Sequence, residues 1–150
     1  MELIDAVTDF SIEKDIVRPE YDVEFRISED REVFAWGRSL VPYQVYSSLC
    51  CVAYTHEIPI NMKQLTEYST NHSPYRGDIA IAYTVWNCSD TKGSGRSLIL
   101  ALQKHFSSHA KVNRLVTLSP LTEMAKRFHL SNGATLLFTN PESYNFEYEI

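Results

Sequence analysis

The sequence predicts an α/β (α+β) fold, one mixed sheet of about seven strands with helices on both faces. Three observations carry that expectation. Several β-rich runs, some with apolar and polar residues alternating, crowd the first 55 positions. The run GDIAIAYTVWNC (77–88) is apolar in both phases, as a central strand covered on both sides requires. Beyond it, stretches with helical apolar spacing alternate with β-rich ones.

Taken in order, Ile4, Val7 and Phe10 recur at helical spacing, so a short helix is expected near the start, ended by Pro19. YDVEFRIS (21–28) alternates, and REVFAWGRSL (31–40) follows across the polar turn Glu29-Asp30, so the two read as a hairpin. YSSLCCVAYT (46–55) reads as a third strand. NMKQLTEYST (61–70) reads as a helix entered at Asn61 or Ile60, with Met62, Leu65 and Tyr68 on one face. SDTKGSG ends the central strand, and RSLILALQKHFSSH (96–109) resumes helical spacing. KVNRLVTLS (111–119) is the next strand, Pro120 opens the helix LTEMAKRFHLS, and Gly133 caps it. TLLFTN (135–140) and YNFEYEI (144–150) close as a hairpin around Pro141. No repeat or linker interrupts the chain, so residues 1–150 are expected to form a single domain.

Composition narrows the function classes. A net charge of −5 works against a nucleic-acid partner, which needs a basic face, and any anionic ligand must meet a local basic cluster. No run approaches the length of a membrane span, and the acidic start MELIDAVTDFSIEKD is unlike a secretion leader, so the expected location is the cytoplasm, with no membrane partner. Cys50, Cys51 and Cys88 lack a CxxC spacing and read as buried thiols. His56, His72, His105, His109 and His129 are scattered. The pair His105 and His109 is four apart on one helix but has no third ligand, so no metal is expected.

Three features carry chemistry. The junction NCSDTKGSGRSLI joins a strand end at Asn87 to a helix start through Gly93, Ser94 and Gly95, with Lys92 and Arg96 beside it. It is either an ordinary glycine turn or a set of free N–H groups suited to a pyrophosphate. In VTLSP, Ser119 ends a strand where ligands of open α/β sheets tend to lie, and it equally suits the role of helix cap. His129 sits near the margin of the apolar stripe Leu121, Met124, Ala125 and Phe128. A helix dipole alone would account for a histidine there, but its place near consecutive strand ends makes it a candidate for catalysis.

The glycine loop and the helix MAKRFHLSNGATLL resemble the GNAT fold, which implies a mostly antiparallel central sheet; here a histidine stands where that family usually has tyrosine. More specifically, REVFAWGRSLVP, CCVAYTHEIPINMKQL, DIAIAYTVWNCS, VTLSP and RFHLSNGA, in that order, resemble the GNAT-like catalytic domain of malonyl-CoA decarboxylases over most of residues 31–134. The resemblance implies Ser119 and His129 as catalytic residues and Asn87, Lys92, Gly93, Ser94, Gly95 and Arg96 as the coenzyme A site. It implies a malonyl-type thioester of coenzyme A or an acyl carrier protein as substrate, and no prosthetic group. The chain lacks the family's long segment between the serine and histidine motifs, and its glycine loop is shorter. Two other readings stay open: an acyltransferase using Asp90, Glu57 or His56 at an acceptor site, and a binding module without chemistry. A homodimer is a further expectation, with NFEYEI as an edge strand pairing with a second copy.

Overall fold

A computed structural model describes residues 1–40, 42–71, 74–109 and 111–150; His72, among the histidines weighed above, lies outside the described residues. The strands are β1 (Glu2–Ile4), β2 (Arg31–Leu40), β3 (Tyr43–Thr55), β4 (Ile79–Asn87), β5 (Arg114–Thr117), β6 (Ser119–Pro120), β7 (Thr135–Thr139) and β8 (Ser143–Tyr148). The helices are α1 (Val23–Ile27), α2 (Met62–Tyr68), α3 (Ser94–Ser107) and α4 (Glu123–Ser131). One sheet runs β1-β2-β3-β4-β5-β8-β6, with β7 on the outer side of β8, and only the β4–β5 pairing is parallel. No helix among the described residues is long and apolar enough to cross a membrane.

The sheet is covered on both faces because its central strands are apolar in both phases. Phe34, Cys50 and Val52 meet Leu98, Leu102 and Phe106 of α3 on one face, where Phe128 of α4 also packs. Val33, Cys51, Ile81 and Tyr83 meet Leu65 of α2 and Phe25 of α1 on the other. Each fully buried leucine or phenylalanine contributes roughly 1.5–3 kcal/mol relative to exposure.

Two local departures from ideal pairing shape the centre. Across β3 and β4 the partners step from Val52↔Ala82 to Cys51↔Thr84, so Tyr83 is an extra residue, a β-bulge. The bulge puts Tyr83 and Thr84 on the same face and turns β4 away from β5. Their parallel pairing stops at Ala82↔Thr117, with one last bond from the Leu118 N–H to the Ala82 carbonyl at 3.0 Å. Beyond that rung the sheet forks.

Several sequence expectations are corrected. The first residues form a strand, not a helix, because Glu2–Ile4 finds an edge to pair with, Leu3 opposite Trp36. The stretch 21–28 is not a strand. Asp22 accepts the Phe25 N–H at 2.8 Å as an N-cap, and α1 forms so that Arg26 can be buried. The hairpin is therefore β2 with β3, not 21–28 with 31–40. Pro120 lies in a strand rather than at a helix start, since β6 pairs with Ser143 and Tyr144. Helix α4 begins at Glu123, with Thr122 as its cap through a 3.2 Å bond from the Ala125 N–H. The residue before a proline is driven toward extended geometry, which suits Ser119 in β6. The last strand, β8, is interior, flanked by β5 and β6 on one side and β7 on the other, so it offers no edge to a second copy. Cys50 and Cys51 are buried as expected, and Cys88 is half-buried.

Candidate functional site

The fork is built around a strap, residues 11–22, folded over it by one buried ion pair. Asp15 and Arg26 meet at 2.6 Å with both side chains inaccessible to solvent. The Asp15 carboxylate also accepts the Val17 and Arg18 N–H groups and the Thr84 hydroxyl, while Arg26 donates to the Arg18 and Tyr21 carbonyls. The strap therefore presents Arg18 at a fixed point. Its guanidinium donates to the Tyr83 carbonyl of β4 at 3.2 Å and to the Leu118 carbonyl after β5 at 3.1 Å. It bridges backbone groups on the two diverging arms and so closes the apex of the fork.

A cleft of about 470 Å³ opens at the fork. Its lining is mostly apolar and comes from both sides of the sheet: Ile16 and Val17 from the strap, Tyr83 to Asn87 along β4, Gly95 at the start of α3, and Met124, Ala125 and Phe128 of α4. Ser119 and His129 both line it. Ser119 is buried in β6 and shares a 2.8 Å hydrogen bond with the Thr117 hydroxyl, whose oxygen accepts the Phe146 N–H at 3.0 Å. Thr122, not Ser119, caps α4, so the capping role considered for Ser119 is withdrawn. If Thr117 donates in that pair, the Ser119 proton is free to turn into the cleft.

His129 is buried at the end of α4, with its Nδ1 2.7 Å from the Tyr148 hydroxyl and its ring against Phe128 and Phe146. Among the described residues no hydrogen bond joins it to Ser119, and its Nε2 has no partner. Burial lowers its pKa from the usual 6.5 to about 4, so the ring is neutral at pH 7. Burial also pushes the Tyr148 phenol up, so Tyr148 keeps its proton as a donor. If Tyr148 donates to Nδ1, the proton of the neutral imidazole sits on Nε2.

This shift has a consequence for stability. The folded chain resists protonating His129, whereas the unfolded chain takes up that proton as the pH drops below 6.5. Between pH 6.5 and 4 this group should cost up to about 3 kcal/mol of stability, with no contribution above pH 7. Denaturant unfolding at pH 7 and pH 4.5 checks it: the acid loss should be smaller in His129→Gln than in the native chain by that margin. An equal loss in both would place the acid sensitivity elsewhere.

The glycine junction forms the far end of the cleft. Gly93 adopts φ +80°, the left-handed conformation that glycine takes without strain, and no side chain caps the helix behind it. The first bond into α3 runs from the Ser97 N–H to the Gly93 carbonyl, which leaves the N–H groups of the first turn outside the helix ladder. Asn87 and Gly95 line the cleft, and a Cβ on Gly95 would stand 3.3 Å from the Phe128 ring. The Ser94 hydroxyl donates to Asn87 Oδ1 at 2.9 Å, so its side chain is committed to fixing the loop. Lys92 and Arg96 are exposed and flank this end without lining the cleft. Asp90, Glu57 and His56, considered above for an acceptor site, do not line it either. Among the described residues no three His, Cys, Asp or Glu side chains gather in a way that would hold a metal.

Sequence reading missed Tyr148, Thr117 and the strap with Arg18. Thr117 lies two residues before Ser119, so strand alternation would have placed both on one face. Tyr148 is 19 residues from His129, and Arg18 reaches across 100 residues to Leu118; only the closed sheet brings them together.

No family model matches the chain, and no curated protein does. Solved structures do. Malonyl-CoA decarboxylase from Agrobacterium vitis matches with a TM-score of 0.69 at 17% identity, over 93% of this chain and 56% of that one. Malonyl-CoA decarboxylase from Cupriavidus metallidurans matches with a TM-score of 0.52 at 21% identity, over 86% of this chain and 33% of that one. Arabidopsis thaliana NAA60, in complex with a bisubstrate analogue, matches with a TM-score of 0.55 at 16% identity, over 87% and 84%. The fold is GNAT-like. At these identities the likeness speaks for the fold alone, and this chain spans 56% and 33% of the two decarboxylases.

Proposed function

We propose that this chain decarboxylates a malonyl-type thioester, with Ser119 and His129 as its catalytic residues. The observation that carries the reading is the state of the cleft's polar groups. His129 is neutral, with its pKa near 4, and no carboxylate lines the cleft among the described residues. Transfer of an acyl group to an amine needs a base to take the amine's proton, and a ring of that pKa is a weak one. Decarboxylation needs no such base. Cleaving the C–C bond of a malonyl thioester releases CO₂ and leaves an enolate whose charge rests on the thioester oxygen, and one proton then adds to carbon.

In this reading His129 Nε2–H hydrogen-bonds the thioester oxygen and strengthens as charge develops there, while Tyr148 holds the tautomer. A neutral imidazole is a poor source of the proton that goes to carbon, so that proton comes from water. Ser119 donates to the substrate's carbonyl or carboxylate and sets the angle at which the C–C bond breaks. The first turn of α3 receives the pyrophosphate of the coenzyme, or the phosphate of a carrier's pantetheine arm, with Lys92 and Arg96 adding positive charge. Arg96→Ala is expected to raise KM for malonyl-CoA several-fold with kcat within about twofold, since it removes binding that is equal in the ground and transition states. A fall in kcat with KM unchanged would take Arg96 out of that role. The whole reading is tested by incubating the protein with malonyl-CoA and no acceptor, and following thioester mass. Loss of 44 Da, dependent on His129, supports it; turnover only in the presence of an amine or carrier acceptor supports acyl transfer instead.

A further inference from the structure

A decarboxylase of this kind faces a recognition problem. Its substrate and its thioester product share the whole coenzyme and differ by one carboxylate. A cleft that gripped only the shared part would be held by its product. The discrimination has to come from a cation or a set of donors within reach of the acyl end, and the cleft lining is mostly apolar.

One charged side chain lines the cleft among the described residues, Lys14. It stands on the strap, one residue before Asp15, whose buried carboxylate pins the backbone there through the Val17 and Arg18 N–H groups and Thr84. Its backbone is thus held although its side chain is exposed, and its ammonium makes no ion pair or hydrogen bond with the described residues. Lys14 thus lines the cleft from the strap side, together with Ile16 and Val17. A second unsatisfied donor belongs to the same side. Trp86 also lines the cleft, packs with Phe10 of the strap-side core, and carries a buried indole N–H with no partner among the described residues. His129 reaches the cleft from the α3 and α4 side, its ring against Phe128, Phe146 and Tyr148 of that face's core.

We infer that Lys14, assisted by the Trp86 indole N–H, is the receptor for the free carboxylate of the acyl group, and that the cleft therefore selects acid-bearing acyl thioesters over their plain acyl counterparts. This rests on the decarboxylase reading for its substrate but is measured without turnover. The ammonium and indole donors complete their hydrogen bonds only when that carboxylate is bound, and they lose them when it departs as neutral CO₂. The product then keeps only the contacts to the coenzyme and the thioester carbonyl. A single ligand group thus gives a partner to both the Lys14 ammonium and the Trp86 indole N–H.

The test compares two coenzyme A thioethers of equal length, S-(2-carboxyethyl)-CoA and S-propyl-CoA. Neither has a carbonyl beside sulfur to take up electrons, so neither can decarboxylate, and they differ only in a carboxylate against a methyl. Calorimetric titration of the native chain should favour the carboxylate ligand by about 10- to 100-fold, the range of a charge-assisted hydrogen bond expressed as affinity. Lys14→Met should remove most of that preference and leave S-propyl-CoA binding unchanged; Lys14→Arg should keep it, and Trp86→Phe should reduce it a few-fold. Three results would overturn the inference: no preference in the native chain, a preference that survives Lys14→Met, or an equal loss for both ligands, which would put Lys14 on the coenzyme phosphates. Absence of CO₂ release from malonyl-CoA would defeat the decarboxylase reading and leave this binding result standing by itself.

Discussion

His129→Ala is expected to lower kcat for CO₂ release from malonyl-CoA by roughly 10²–10⁴-fold, the range seen when an oxyanion donor or acid–base group is lost. The size follows from where the ring sits. It is buried, neutral and held from behind by the Tyr148 hydroxyl at 2.7 Å, so its Nε2–H is set before substrate arrives and costs little reorganisation when charge moves to the thioester oxygen. In the proposed reaction, that one donor in a mostly apolar cleft would carry a large share of the stabilisation. Tyr148→Phe separates the donor from its support: the imidazole remains, but its tautomer is no longer fixed, so kcat should fall by about tenfold, less than in His129→Ala. The pH–rate profile should show no limb near 6.5, since the ring titrates near 4. A drop smaller than about threefold in His129→Ala, with an unchanged circular dichroism spectrum, would remove His129 from the chemistry.

Much of this arrangement can be read in the sequence, and the reasons for the gaps are physical. Strands β3 and β4, helices α2 and α3 and the closing hairpin announce themselves because their periodicity is long and local. The run 77–88 also shows why β4 is central, although not that Tyr83 is an extra residue in it; a bulge leaves no mark in a stretch already apolar in both phases. Glu2–Ile4 and 21–28 were misassigned for a different reason. Three apolar residues at helical spacing are weak evidence against an open sheet edge at Trp36, and alternation in YDVEFRIS is outweighed by an N-cap at Asp22 and a buried arginine. Ser119, His129, Asn87 and Gly95 line one cleft, because each stands at the end of a strand or the start or end of a helix on the same edge of the sheet. Tyr148 behind His129, Arg18 at the apex of the fork and Lys14 on the lining leave no local signal, because they belong to the last strand and the irregular strap and come to the site through contacts that no local pattern encodes.

The second large effect concerns that strap. Arg26→Met is expected to destabilise the chain by about 3–5 kcal/mol, the cost of leaving one member of a buried ion pair without its partner. The guanidinium of Arg26 is wholly enclosed. It neutralises Asp15 at 2.6 Å, lies 5.3 Å from the Trp86 ring centre, and donates to the Tyr21 and Arg18 carbonyls, so its removal strands a carboxylate and frees two backbone acceptors at once. The midpoint of thermal unfolding should drop by roughly 10 °C or more in a chain of this length. Replacing both partners, Asp15→Leu with Arg26→Met, should recover part of the loss because no buried charge then remains. Recovery should be incomplete, since Asp15 also accepts the Val17 and Arg18 N–H groups and the Thr84 hydroxyl, for which leucine offers nothing. What separates a purely structural pair from one that serves the site is the behaviour of the double variant at a temperature where it is folded. If the pair sets the strap, and through Arg18 the width of the fork, then kcat/KM for malonyl-CoA should remain at least tenfold depressed in the refolded double variant. A double variant with native kcat/KM would show that the fork holds its shape without the ion pair, and would confine Asp15 and Arg26 to stability.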